Sequence, residues 1–177
     1  MNRANVSGQA CAFMAMTPIA PGEEPALRAY LEGLREQRPL ARSKRTHFAR
    51  WVIVPEYVND PKQRHEEHLG GSYLVFTSNF DGPLDTYLDE LAAELADEAR
   101  EIWGRCVGAP QTAADLKRYL LHNQIDTGFF FAAYPTATVA KVRTALGNRD
   151  RLIAFALRAE SMPPQELRAA FLAEDFA

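Results

Sequence analysis

Apolar residues recur at helical spacing in several stretches of the chain. Four of them, from Leu27 to Leu34, stand at i, i+3, i+4 and i+7, the stripe of an amphipathic helix. A longer stripe that starts at Leu84 and ends at Trp103 predicts a helix of about five turns. Further helices are predicted at about 113–122, 137–146, 149–159 and 164–172, with Gly147 and Asn148 between the second and third of these.

Four other short apolar stretches favour strands, and the second of them is rich in β-branched and aromatic residues. The first two end at Pro18 and Pro55, which cannot donate to a β-ladder. The fourth, GFFFAAYP, is apolar on both faces, which predicts a strand in the interior of the sheet. The predicted strands span about 10–18, 46–54, 72–79 and 128–135.

The predicted order is strand, helix, strand, strand, helix, strand, which is the ferredoxin-like βαββαβ arrangement. We therefore predict a single α+β domain over 1–177. Its core, at about 10–135, is a four-stranded antiparallel sheet with helices on one face, an inserted helix at 113–122 and a helical extension at about 136–177. The other face needs a cover, and a partner subunit packed face to face as a two-fold dimer is the usual one. The polar stretch at 57–71 predicts a long exposed hairpin loop.

Composition adds mainly exclusions. The 177 residues, 47% hydrophobic and 24% charged, suffice for one domain with a real core. A net charge of −3 argues against a nucleic-acid partner, because neutralising phosphates takes a basic surplus. Cys11 and Cys106 match no zinc spacing, and no apolar run approaches the ~20 residues that span a bilayer. We therefore expect a reduced, cytoplasmic protein that does not bind membranes.

Few residues with catalytic chemistry interrupt the predicted strands. His47 and Arg50 stand three apart, so in a regular strand their side chains point to opposite faces, and the alternation does not decide which one faces the helices. His47 is either the polar group of an apolar pocket or a hydrogen-bonded residue at a sheet end or dimer seam. Asn79 either orients a substrate oxygen or holds the turn, and Asp81 is predicted to cap the following helix.

Two further histidine-containing segments have competing interpretations. The run from His65 to His68 contains two glutamates but is not an HExxH motif, and its place in a charged loop predicts a solvated segment. His122 ends the inserted helix, where a cation suits the helix dipole. The alternative is that His122 is an axial haem ligand.

Several segments resemble a known superfamily. Residues 16–23 (MTPIAPGE) resemble the first strand and turn of dimeric α+β barrel proteins. Residues 46–53 (THFARWVI) and 74–82 (LVFTSNFDG), with 87–91 (YLDEL), are similar to a little-characterised bacterial branch of that superfamily. Related segments occur beside or within haem-peroxidase-like proteins. The resemblance covers about residues 10–135 and implies a homodimer.

The superfamily includes cofactor-independent monooxygenases, small isomerases, lactone-forming enzymes and haem-using peroxidases, so the resemblance does not select one chemistry. It implies a bacterial protein that binds a small apolar or aromatic molecule between sheet and helices, for oxidative or isomerising chemistry. His47, Asn79 and Arg50 would position the polar groups of that molecule, and His122 would hold a haem if one is bound. The alternative is a non-catalytic binding or accessory module of a larger oxidoreductase, which the absence of a compact acid–base constellation favours.

Overall fold

A computed structural model describes residues 3–174 of the chain. The chain divides into two compact units, Met1–Thr136 and Ala137–Ala177. The first unit contains a four-stranded antiparallel sheet and four α-helices, and the second contains two helices. The α+β class and the four-stranded antiparallel sheet are therefore confirmed.

The sheet has the strand order β1-β2-β4-β3. Its two longest predicted strands, at 10–18 and 46–54, are found with the predicted bounds, and the third runs slightly past its predicted end. The connection between the second and third of these is an exposed segment without regular structure, as the polar composition at 57–71 predicted. The strands are β1 (Val6–Ser7), β2 (Ala10–Pro18), β3 (Thr46–Val54) and β4 (Tyr73–Asp81).

The helices are α1 (Glu24–Gln37), α2 (Leu84–Glu94), α3 (Ala96–Trp103), α4 (Ala113–His122), α5 (Val139–Ala159) and α6 (Pro164–Ala173). Short 3-10 turns at Arg3–Asn5 and Pro39–Arg42 complete the regular structure. None of these described helices is both long enough and apolar enough to cross a bilayer.

Two predictions of where a helix is continuous or interrupted were wrong. The predicted five-turn helix is divided at Leu95, which lets α2 pack against α4 while α3 packs against α1. The predicted break at Gly147 and Asn148 is absent, and α5 runs through both residues for 21 residues. A glycine inside a helix costs only ~1 kcal/mol, so the flanking helical residues are sufficient to continue it.

The predicted fourth strand at 128–135 was also wrong. Phe129, Phe131 and Tyr134 lie outside the sheet and are 82%, 71% and 80% exposed. The segment is instead tied to the β1 hairpin, where the N–H of Gln9 donates to the C=O of Pro135 at 2.7 Å. Gly8 has φ +65°, and a Cβ there would lie 2.5 Å from the same oxygen, so this approach requires glycine.

The outer edge of β2, where a fourth strand would pair, is already occupied. Val6 pairs with Cys11 at one end of this edge. Further along, Gln124 forms a bridge with Ala15. The sheet is therefore completed by β1, which precedes β2 in the chain, and the ferredoxin-like order stays a prediction.

One face of the sheet packs against the helices of the first unit. Phe76 lies at the centre of this core, with the ring of Trp103 edge-on at 5.5 Å and that of Trp51 at 5.2 Å. Phe80 stacks on Tyr87 of α2 with a centroid distance of 3.9 Å. Phe80 and Tyr87 are both completely buried, so this layer is filled with side chains.

The second unit is a pair of helices. Phe155 of α5 and Phe171 of α6 make an edge-on ring contact at 5.6 Å. Arg158 forms an ion pair with Glu174 and lies over the ring of Phe155. These contacts join the two helices of the predicted helical extension.

Candidate functional site

A β-bulge near the start of β3 places the first candidate residue. Thr46 pairs with Phe80, and Phe48 pairs with Asn79, so His47 is an extra residue opposite β4. A bulge breaks the strict alternation of side chains. The expectation that His47 and Arg50 lie on opposite faces, which assumed a regular strand, therefore does not apply.

His47 forms a hydrogen-bonded pair with Asp81. Its Nε2 lies 2.9 Å from Oδ1 of the carboxylate, and the two side chains are 19% and 10% exposed. Asp81 directly follows Phe80, which points into the core, so by alternation Asp81 lies on the opposite face with Asn79. The aspartate thus fixes one imidazole nitrogen, and Nδ1 of His47 has no hydrogen-bond partner among residues 3–174.

The prediction that Asp81 caps α2 was wrong. The N-cap position is Pro83, and no side chain caps this helix. Gly82, with φ +87°, turns the chain before it, and the guanidinium of Arg45 takes the space that a Cβ would fill. Arg45 donates to the C=O of Asp81 at 3.4 Å and forms an ion pair with Glu90 at 2.9 Å. The turn is thus held by Arg45.

Arg50 and Asn79 are neighbours of this pair on the face that points away from the helices. Nε of Arg50 donates to Oγ1 of Thr77 at 2.9 Å, across the strand pair. Asn79 is half-buried beside Phe48, and its amide group has no hydrogen-bond partner in the described part of the chain. The three predicted residues His47, Asn79 and Arg50 therefore lie on neighbouring strands, between the start of β3 and its middle and within two register positions of each other.

Apolar side chains surround these polar groups. Phe48 is 75% exposed, and Met14 of β2 pairs with Thr77 on the same face. Met16 and Val75 continue this surface by register. The face therefore offers an apolar surface with an arginine near its middle, and an amide and a histidine–aspartate pair towards one end. We call it the open face.

The sequence predicts a pocket between the sheet and the helices. In the structure, side chains fill this layer at Phe76, Trp103 and Leu74, which are completely buried. Two hydroxyl groups there, of Ser78 and Tyr87, are buried without a hydrogen-bond partner. Burial raises the pKa of Tyr87, and the neighbouring Ser78 and Thr46 hydroxyls act against this shift. The candidate polar residues are on the other face.

His122 lies far from this group in the sequence, at the end of α4. It is exposed and lines an open groove of about 500 Å³ with Gln111, Asp115, Arg118 and Tyr119. Burial, and then the charge of Cys106, raise the pKa of Tyr119, whose hydroxyl donates to the C=O of Val107.

A haem at His122 would need an apolar slot for its ring and free cations for its propionates. The lining of this open groove contains no Leu, Ile, Val, Met, Phe or Trp side chain, and its Arg118 is already paired with Asp115. These residues do not fit a haem.

The remaining candidates carry no additional site. His68 lies in the exposed loop after β3 and is hydrogen bonded to Glu56 at 3.2 Å. Within the described residues, no three His, Cys, Asp or Glu side chains are grouped so as to hold a metal ion. Burial raises the pKa of both thiols, Cys11 and Cys106, which makes them poor nucleophiles.

Two partners of the candidate residues were missed from the sequence. Asp81 was identified only as a cap, and Thr77 was not singled out. An alternation of buried and exposed positions along β4 was the available signal, since it puts Thr77, Asn79 and Asp81 on one face.

No family model matches this chain, and neither a curated protein nor a solved structure is significantly similar to it. The resemblance to dimeric α+β barrel proteins therefore stays a prediction.

Proposed function

We propose that this chain binds a small apolar or aromatic molecule with a carboxylate or carbonyl group on the open face, and exchanges a proton with it through His47. The observation that carries the proposal is the 2.9 Å pair of His47 and the nearly buried Asp81, beside Asn79 and Arg50 on one face. An apolar surface with a few convergent polar groups is the usual composition of a small-molecule site.

Arg50 supplies the charge that would recognise a carboxylate. Its Nε is used by Thr77, while its two terminal amino groups have no partner among the described residues. Arginine matches carboxylate geometry because its donors form a planar fork. Asn79 adds an amide donor next to this fork, which suits a carbonyl oxygen.

The histidine–aspartate pair suits acid–base chemistry. When Nε2 donates to Asp81, Nδ1 is the basic nitrogen and can accept a proton. A proton removed from an acidic C–H by Nδ1 and returned to another atom of the same molecule isomerises that molecule without any other reagent. Of the oxidative and isomerising chemistries expected for this chain, the pair therefore favours isomerisation.

The finer fold assignment is part of the same proposal. The adjacent strands β2, β4 and β3 correspond to the first, third and second strands of a ferredoxin-like sheet. Helix α1 follows β2 and precedes β3 in the chain, as the first helix of that fold does. The bridge between Ala15 and Gln124 lies at the edge where the fourth strand of that fold pairs. A ferredoxin-like origin would explain why the helices of the first unit pack on one face of the sheet.

Binding is tested with 8-anilinonaphthalene-1-sulfonate, an aromatic anion that fluoresces in apolar surroundings. We expect saturable binding to the wild-type chain and about tenfold weaker binding to Arg50→Gln, because a charged hydrogen bond is lost. Arg64→Gln is the matched control, since Arg64 is another exposed arginine without an ion pair among residues 3–174. Equal affinities of the two variants would contradict the proposed site.

Proton exchange is tested with phenylpyruvate in heavy water, because it combines a ring, a carboxylate and acidic C–H bonds. We expect the wild-type chain to accelerate replacement of its methylene protons by deuterium, as followed by NMR. His47→Gln and Asp81→Asn should each lower the rate of this exchange by a factor of about 100 or more. Binding of both probes without exchange would instead favour the non-catalytic module.

A further inference from the structure

The two edges of the sheet are not equally covered. β2 is bordered by β1 and by residues 123–125, whereas β3 is the last strand on the other side. The backbone N–H and C=O groups on the outer side of β3 therefore have no neighbouring strand in this sheet. Each of them is a strong hydrogen-bond donor or acceptor.

Hydrogen bonds at the covered edge fix the direction of the backbone groups in the sheet. The N–H of Met16 donates to Asn123 at 3.0 Å, and the C=O of Met14 accepts from Ile125 at 2.9 Å. The backbone N–H and C=O groups of the even-numbered residues of β2 thus point away from β4. Successive residues of an antiparallel strand point to alternate sides, so odd-numbered residues of β2 bond to even-numbered residues of β4. The odd-numbered residues of β4 are left for β3.

The same alternation reaches β3. Thr77 pairs with Arg50, and Val75 pairs with Val52, so both residues of β3 direct their backbone groups towards β4. Ala49, Trp51 and Ile53 consequently direct their N–H and C=O groups to the open edge. None of these groups has a hydrogen-bond partner among residues 3–174.

The edge of β3 lacks the features that usually protect a bare strand. Its nine residues, THFARWVIV, include no proline and no lysine, and the bulge lies at its first residues, before the three outward-pointing positions. Its arginine, Arg50, bonds to Thr77 on the neighbouring strand. Such an edge is a template for another strand.

We propose that the open edge of β3 pairs antiparallel with β3 of a second copy of this chain, across a two-fold axis at Trp51. Trp51 then lies opposite the same residue of the second copy, and Ala49 lies opposite Ile53. The three outward residues form three hydrogen-bonded pairs with two bonds each, which uses every free group. The two sheets become one continuous sheet.

This register is complementary in its side chains as well as in its backbone. On the open face, Phe48 comes opposite Val54 of the second copy, an aromatic and β-branched pair that stabilises sheets. Arg50 comes opposite Val52, so no like charges are directly opposed. A second copy therefore satisfies this edge without any residue in conflict, which argues for self-pairing over an unrelated strand.

The surroundings of the edge agree with this occupant. A groove of about 230 Å³ runs between α1 and the edge, and the indole Nε1 of Trp51 in its wall is buried without an acceptor. The flank of α1 carries both signs of charge, so a two-fold copy can oppose Glu32 to an arginine. The residues that line this groove are Arg28, Leu31, Glu32, Arg35, Trp51 and Ile53.

Edge pairing leaves the open face accessible and does not depend on the proposed function. It replaces the face-to-face packing expected from the sequence with an edge-to-edge dimer. A failure of ligand binding would not affect it, because none of the three outward residues is in the proposed ligand site.

The test is the mass of the full chain in solution by light scattering after size-exclusion chromatography. We expect a dimer for the wild type and a monomer for Ala49→Pro, because proline removes one outward donor and adds bulk where the second copy pairs. Ala49→Ser is the matched control, since it keeps the N–H, and should remain dimeric. A monomeric wild type, or a dimeric Ala49→Pro, would overturn the proposal.

Hydrogen exchange decides the matter if the proline variant does not fold. The amides of Ala49, Trp51 and Ile53 in the wild type should exchange at least about tenfold more slowly at high than at low protein concentration. The amides of Arg50 and Val52, which bond to β4, should show little dependence on concentration. Fast, concentration-independent exchange at the three outward positions would overturn the proposal.

Discussion

The two faces of the sheet carry the same kinds of residues in different surroundings. On the helix side, Phe76 is completely buried between Trp51 and Trp103. On the open face, Phe48 is 75% exposed and lies beside Arg50 and Asn79. The difference teaches that the helix side is responsible for stability, while the open face retains side chains that packing does not require.

The largest difference between the faces should appear when one phenylalanine on each is truncated. Phe76→Ala should lower the free energy of unfolding by about 3–5 kcal/mol, because it leaves a cavity among large aromatic rings. Phe48→Ala should change it by less than about 0.5 kcal/mol, since little contact is lost. Urea unfolding of both variants measures this, and comparable losses would show that the open face is also a core.

The next effect concerns the polar pair of the open face. Asp81→Ala should cost about 1–3 kcal/mol, because the half-buried imidazole of His47 loses its partner. Asp85→Ala should cost less than about 1 kcal/mol, since Asp85 is exposed and its ion pair with Lys117 is on the surface.

Nitrogen NMR shifts of the His47 ring add a readout beyond stability. They should change in Asp81→Ala, because the tautomer is no longer fixed, and stay unchanged in Asp85→Ala. An unaltered His47 spectrum in Asp81→Ala would contradict the pairing.

The smallest effect is a dependence on alkaline pH that arises from the helix side. Burial raises the pKa of Cys11 and Cys106 above the ordinary value of 9.0. Unfolded thiols then lose their protons before the folded ones do. The contribution of these two thiols to the free energy of unfolding is therefore fully present below pH 9.0, their ordinary pKa, and is lost as the pH rises above it.

Unfolding in urea at about pH 7, 9 and 10.5 checks this sign. The double variant Cys11→Ala and Cys106→Ala should lose less stability over this range than the wild type. A wild-type stability that rises with pH would be the opposite of the expected linkage.

Alternation along the strands predicted much of the sheet but not its irregularities. The bounds of β2 and β3 follow from apolar composition ended by proline, both local features. The bulge at His47 leaves no comparable local signal, because it depends on how Thr46 and Phe48 register against β4. His47, Asn79 and Arg50 were therefore identified as candidates, while their common face was not.

The fourth strand shows a different limit. Residues 128–135 have a strand-like composition, but an apolar segment needs a free edge to pair with. Val6 and Gln124 already occupy that edge of β2. A two-residue strand such as β1 is too short to produce a periodic signal, so its pairing could not be predicted.

The sequence by itself determined the α+β class, most helices and the strands at 10–18 and 46–54, because periodicity and proline act over a few residues. Only the tertiary structure decided that Asp81 binds His47 and does not cap a helix, that the helix-side layer is filled, and that Ala49, Trp51 and Ile53 point to a bare edge. Those features join residues far apart in the chain, and their energies depend on which strand lies beside which.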